Sequence, residues 1–65
     1  MSITNGYFLA EDGEEIKIAF VAMVEPLQGN NGGSFYEVVL SGGAHFTVKE
    51  SYFTRSDFIA AWKAV

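Results

Sequence analysis

An α+β fold is what this sequence predicts: an antiparallel sheet of about four strands with one C-terminal helix, built either as a small partly open barrel or as a two-layer sandwich. Three observations carry the prediction. Residues 35–40 and 44–48 are β-rich runs on either side of Ser41-Gly42-Gly43, whose glycines supply the positive φ that a tight hairpin turn requires. Asp12-Gly13, a second hairpin signal, precedes an alternating run over residues 15–24. Phe58, Ile59, Trp62 and Val65 then fall at helical spacing behind Thr54.

Taken in order, residues 7–10 have the aromatic and aliphatic content of a short strand, with Asn5-Gly6 marking a turn or bulge just before Tyr7. In residues 15–24 a two-residue period puts Ile16, Ile18, Phe20 and Ala22 on one face and Lys17, Ala19, Val21 and Met23 on the other, with a break expected near Ala19. A helix is the rival for residues 14–24, but the β-branched content and the Asp-Gly turn favour a strand. Glu25-Pro26 ends this element, because proline lacks a ladder donor and restricts the residue before it. Residues 28–34 (QGNNGGS) are polar and glycine-rich and read as a flexible loop.

In the hairpin that follows, Tyr36, Val38 and Leu40 share one face with Ala44, Phe46 and Val48, and this is the expected core face. Glu37, His45, Thr47 and Lys49 occupy the other, where Phe35 and Val39 are apolar exceptions needing cover. Thr54 with Asp57 three residues on is a variant of the helix-starting capping box, and Ser56 is an alternative cap. The stripe behind it packs on the sheet. Trp62 within that stripe reads as core or core-edge, with a partner surface as the alternative.

The 65 residues make a single small domain, residues 1–65. With no cysteine, disulfides and thiolate metal sites are excluded, and an aromatic content of 15% must stand in for such staples. The N-terminus lacks a basic region ahead of an apolar run, so the chain is expected in the bacterial cytoplasm, away from membranes. A formal charge of −4 with scattered lysines and arginine argues against direct nucleic-acid binding. Residues 1–32 carry Glu11, Asp12, Glu14, Glu15 and Glu25 against Lys17 alone, whereas the remainder balances Glu37, Glu50 and Asp57 against Lys49, Arg55 and Lys63. All the net charge therefore lies in the first half.

No catalytic, metal-binding or phosphate-cradling pattern stands out. His45 is the one histidine, and the spacing of Ser41, Thr47 and Asp57 sets up no nucleophile with a base and an orienting acid. The chain is expected to be non-enzymatic and to need no cofactor. The acidic turn formed by Glu11, Asp12, Glu14 and Glu15 reads in two ways. It is a solvated tip that keeps the protein soluble, or a set of carboxylates held at fixed spacing in place of phosphates.

Val21-Ala22-Met23-Val24-Glu25, Gly42-Gly43 and Val48-Lys49-Glu50-Ser51 occur in an order that resembles the small FlbD-like proteins of bacterial flagellar operons. The likeness spans residues 7–62 and implies a similar hairpin-rich fold and a motility or regulatory accessory role, with no catalytic residues to carry over. The chain departs from that pattern in lacking an Asn-Pro-Asp element and in the added residues 52–55 before the helix. In size, acidity and lack of a catalytic set it is also similar to phage-encoded anti-CRISPR proteins, some of which occlude nucleic-acid grooves by mimicking phosphate charge. The leading expectation is a small acidic inhibitor, monomeric or weakly self-associating. It would dock on a basic bacterial protein or ribonucleoprotein complex through Glu11, Asp12, Glu14 and Glu15, with Glu25 or Glu37 added if their faces coincide.

Overall fold

The computed structural model describes residues 3–30 and 32–65. Its strands are β1 (Ile3–Thr4), β2 (Tyr7–Leu9), β3 (Glu15–Lys17), β4 (Val21–Val24), β5 (Gln28–Asn30), β6 (Gly33–Leu40) and β7 (His45–Lys49), followed by one helix, α1 (Arg55–Lys63). They form two antiparallel sheets, so the fold is α+β as the sequence predicts. One sheet has the order β1-β2-β3; in the other, β6 is central, with β7 along one side and β4 and β5 sharing the other.

The small sheet is drawn together by two tight turns. Asn5 and Gly6 have φ of 54° and 80°, the paired positive values of the turn that suits a two-residue hairpin, which is why Asn-Gly stands there. It joins β1 to β2, so the strand predicted over residues 7–10 has a short partner at Ile3–Thr4 that the sequence pattern did not announce. The acidic turn joins β2 to β3, with Phe8 opposite Ile16.

The break expected near Ala19 is a 3-10 turn, Ile18–Phe20. It alters which residues face inward. Ile16, Ile18, Val21 and Val24 are buried, whereas Phe20 and Met23 are 55% and 52% exposed and Ala22 is exposed. Strict alternation past Ala19 is therefore corrected: the 3-10 turn resets the phase, and a register shift between Val21 and Met23 resets it again.

The expectation of a loop over residues 28–34 is also overturned. Gln28–Asn30 is a strand, paired Gln28 to Phe35, Gly29 to Ser34 and Asn30 to Gly33. Backbone hydrogen bonds hold it, so a polar, glycine-rich composition gives no side-chain sign of it. Asn31, which belongs to the same expected loop, lies outside the described residues.

The predicted hairpin of β6 and β7 forms, with Tyr36 opposite Val48 and Val38 opposite Phe46. Tyr36, Val38 and Val48 enter the core with Phe8 and Phe58, and Phe8 meets the Phe58 ring edge-on at 5.1 Å. Ala44, assigned to the core face, is exposed at the turn. The Tyr36 hydroxyl donates to the Phe53 carbonyl at 2.7 Å. Burial, reinforced by the Glu50 carboxylate, pushes its ionisation far above the ordinary tyrosine range.

Thr54 caps α1 as predicted, its Oγ1 accepting from the Asp57 N–H at 3.4 Å. The Glu50 carboxylate accepts from the Arg55 N–H at 2.9 Å, satisfying a second donor of the first turn. Phe58 is wholly buried and Ile59 and Trp62 are partly so, but Val65 is 69% exposed and does not complete the stripe, because α1 ends at Lys63.

Candidate functional site

Two antiparallel sheets that share a core leave gaps where their edges do not meet. One such gap lies between β7 and the turn linking β2 to β3. At one end it is closed: the Tyr52 hydroxyl donates to the Leu9 carbonyl, and Tyr52 packs edge-on against Phe8 at 6.2 Å. At the other end it opens into a groove of about 310 Å³. Ile16, Leu40 and Phe46 line it with apolar surface, His45 and Thr47 form one wall, and Glu11, Asp12 and Glu14 form the opposite rim.

The acidic rim is held by its own backbone. The Ala10 N–H donates to the Glu14 carbonyl at 2.8 Å, and the Gly13 N–H donates to the Ala10 carbonyl at 2.9 Å. Gly13 has φ of 93°, a value a side chain would strain. Asp12 Oδ1 accepts from the Glu14 N–H at 2.9 Å, an Asx-type bond that fixes the Asp12 side chain over the turn. Glu11, Asp12, Glu14 and Glu15 are all exposed, and among the described residues none of their carboxylates forms an ion pair.

The six predicted site residues do not form one face. Glu11, Asp12 and Glu14 line the groove together. Glu15 lies next to buried Ile16 on β3, and strand alternation directs it away from the core, on the face that carries Lys17. Glu37 lies on the outer face of β6, where Oε1 is 3.1 Å from His45 Nδ1 and Oε2 accepts from Thr47 Oγ1 at 2.8 Å. Through His45 it reaches the wall of the groove without lining it. Glu25 is half-buried beyond the end of β4, and its N–H donates to the Glu37 carbonyl at 2.8 Å while its carbonyl accepts from Arg55 Nε at 2.7 Å.

Glu37, His45 and Thr47 combine an acid, an imidazole and a hydroxyl, but in an order unsuited to nucleophile activation. The carboxylate stands between the other two, so the Thr47 proton is directed to Glu37 and not to the imidazole. The trio ties β6 to β7 across the outer face. Among the described residues no group of His, Asp and Glu side chains is placed to hold a metal ion. Nor is any described helix long and apolar enough to cross a membrane.

What the sequence reading missed is the backbone of β7. The Leu40 N–H donates to the Ala44 carbonyl at 2.7 Å and the Glu50 N–H donates to the Ser34 carbonyl at 3.0 Å. These two bonds fix the antiparallel phase: residues 44, 46, 48 and 50 exchange hydrogen bonds with β6, and residues 45, 47 and 49 turn theirs outward. The Lys49 carbonyl is taken by the N–H groups of Tyr52 and Phe53 at 3.0 and 3.1 Å. The N–H and C=O of His45 and of Thr47, and the Lys49 N–H, have no backbone partner among the described residues. The signal for this was present in the Ser41-Gly42-Gly43 turn, since the turn sets the phase of the strand after it.

No family model, curated protein or solved structure matches the chain.

Proposed function

We propose that this protein is a small acidic inhibitor that docks on a basic surface of a bacterial nucleic-acid-handling complex and obstructs nucleic-acid binding there. The observation that carries the reading is the acidic turn. Glu11, Asp12 and Glu14 stand exposed on one rim, without internal counter-ions among the described residues, on a turn stiffened by three hydrogen bonds. A backbone already held in its turn, with the Asp12 carboxylate bonded over it, loses less conformational entropy on meeting a lysine- or arginine-lined surface than a flexible loop would, which favours a phosphate surrogate. Glu15 adds to the long-range field from the neighbouring face, and the −4 formal charge speeds encounter with a basic partner.

The test is charge reversal. Changing Glu11, Asp12, Glu14 and Glu15 to lysine shifts the formal charge by two per site, from −4 to +4. The immobilised protein is expected to retain nucleic-acid-handling complexes from a nuclease-treated bacterial lysate at low salt. They should be released as the Debye length shrinks from about 10 Å to about 3 Å, and the reversed variant should retain none. Equal capture by both forms, with unchanged circular dichroism, means the turn serves only solubility.

A second reading rests on a different observation. Phe35 and Val39 are only partly buried on the outer face of β6, and the 52%-exposed Met23 pairs with Val39 there. An accessory protein of motility or regulation, binding its partner through this apolar face, would show capture insensitive to both salt and charge reversal.

A further inference from the structure

We infer that the groove between β7 and the acidic turn captures an extended, basic peptide segment of a protein partner, which adds to the four-stranded sheet as a strand beside β7. The inference deepens the acidic-docking reading and rests on it for the sign of the partner's charge. The strand edge itself is an independent observation.

Three features converge on the same place. The outward groups of His45 and Thr47 and the Lys49 N–H form a row of donors and acceptors with no backbone partner among the described residues, spaced for an incoming strand. The His45 and Thr47 part of that row borders the groove of about 310 Å³, whose floor includes Ile16, Leu40 and Phe46 and whose far rim is Glu11, Asp12 and Glu14. From Thr47 to Lys49 the groove narrows to a slit of about 10 Å³ against Phe8, Ala10, Glu11 and Tyr52, which ends the available edge at Thr47. From residue 44 to residue 47 a strand advances by about 10 Å, room for a segment of roughly three or four residues in contact with the edge.

Side chains of an added strand alternate between the sheet's two faces. One set would rest on the apolar floor, and the other would meet the outer face at His45 and Thr47, with Glu37 one strand further in. A segment alternating aliphatic residues with lysine or arginine fits both, its longer basic chains reaching the carboxylates of the rim. A second copy of this chain is the rival occupant of any open edge. Pairing two β7 strands would bring two acidic turns of like charge to one seam, which disfavours it at low salt.

The probe is the peptide acetyl-Lys-Val-Lys-Val-Lys-amide, followed by amide hydrogen exchange and by titration. In the protein alone, the N–H groups of His45, Thr47 and Lys49 should exchange rapidly while those of Phe46 and Val48 are protected. With the peptide bound, His45 and Thr47 should slow by about tenfold or more, while Lys49, beside the slit, stays as it was. Two further peptides, N-methylated on only the lysines or only the valines, separate the mechanism from charge. One should lose about tenfold in affinity and the other should bind like the parent, because only one alternate set of N–H groups faces β7.

Equal binding of both methylated peptides, or His45 and Thr47 amides that stay fast in the complex, overturns strand addition and leaves the acidic reading intact. Absence of binding at millimolar peptide also overturns it, while the lysate capture decides the acidic reading separately. Protection of the same amides that rises with protein concentration and without peptide assigns the edge to a second copy and overturns the peptide.

Discussion

At the β4 edge of the large sheet, the outward carbonyls of Val21 and Val24 accept hydrogen bonds from Trp62 Nε1 at 3.1 Å and from the Arg55 guanidinium at 3.2 Å. At the β7 edge, the corresponding groups of His45 and Thr47 meet no backbone partner among the described residues. Both edges belong to one sheet and both have the same chemistry. The difference is that α1 runs along the first and supplies donors at both ends of β4, whereas the second faces a groove and a rim of carboxylates. An exposed edge invites pairing with another chain. Of these two edges, only the second is left open to such pairing, and it is the one that carboxylates flank.

The contrast breaks most completely if α1 is unseated. Phe58 is fully buried and packs on Phe8 and Tyr36, so Phe58→Ala should cost about 3–5 kcal/mol. A domain this small has little more than that to lose, and urea or thermal melting should show it largely unfolded. A native-like melting curve would mean that helix docking does not depend on this ring. Trp62, at the edge of the core, is the lesser filler, its main specific contact being the bond to Val21.

A smaller effect should follow from stripping donors off the β4 edge while keeping the helix. Arg55→Met leaves the carbonyls of Val24 and Glu25 without their donor and should cost about 2 kcal/mol in urea unfolding. Lys63→Met, on the exposed side of the same helix, should stay within about 0.5 kcal/mol. If the two variants melt alike, the guanidinium does not cap that edge.

At the β7 edge a proline should be tolerated. Thr47→Pro removes an N–H that the β6 ladder does not use and should cost about 1 kcal/mol or less, whereas Val38→Pro, inside the ladder, should exceed about 3 kcal/mol. Similar losses at both positions would show the Thr47 N–H to be engaged and the β7 edge closed.

Much of this architecture is legible in the residues themselves because it is local. The Ser41-Gly42-Gly43 turn, the period-two placement of Tyr36 and Val38, the Thr54 cap and the break near Ala19 each depend on neighbours a few positions apart. So does the acidic turn, whose stiffening bonds all fall within residues 10–14.

What local pattern does not carry is decided by contacts between distant residues. Gln28–Asn30 becomes a strand through backbone pairing with β6, and no side-chain period records it. Val21 and Val24 turn inward only because a 3-10 turn and a register shift each displace the alternation, which is set by how β4 docks on β6. The capped edge rests on bonds that join residues 30, 31 and 41 positions apart. Composition alone established that the chain is acidic and that its charge lies in one half. Only the folded arrangement decided that three of those carboxylates face an open strand edge, because bringing the turn after β2 beside β7 requires both sheets to close on the same core.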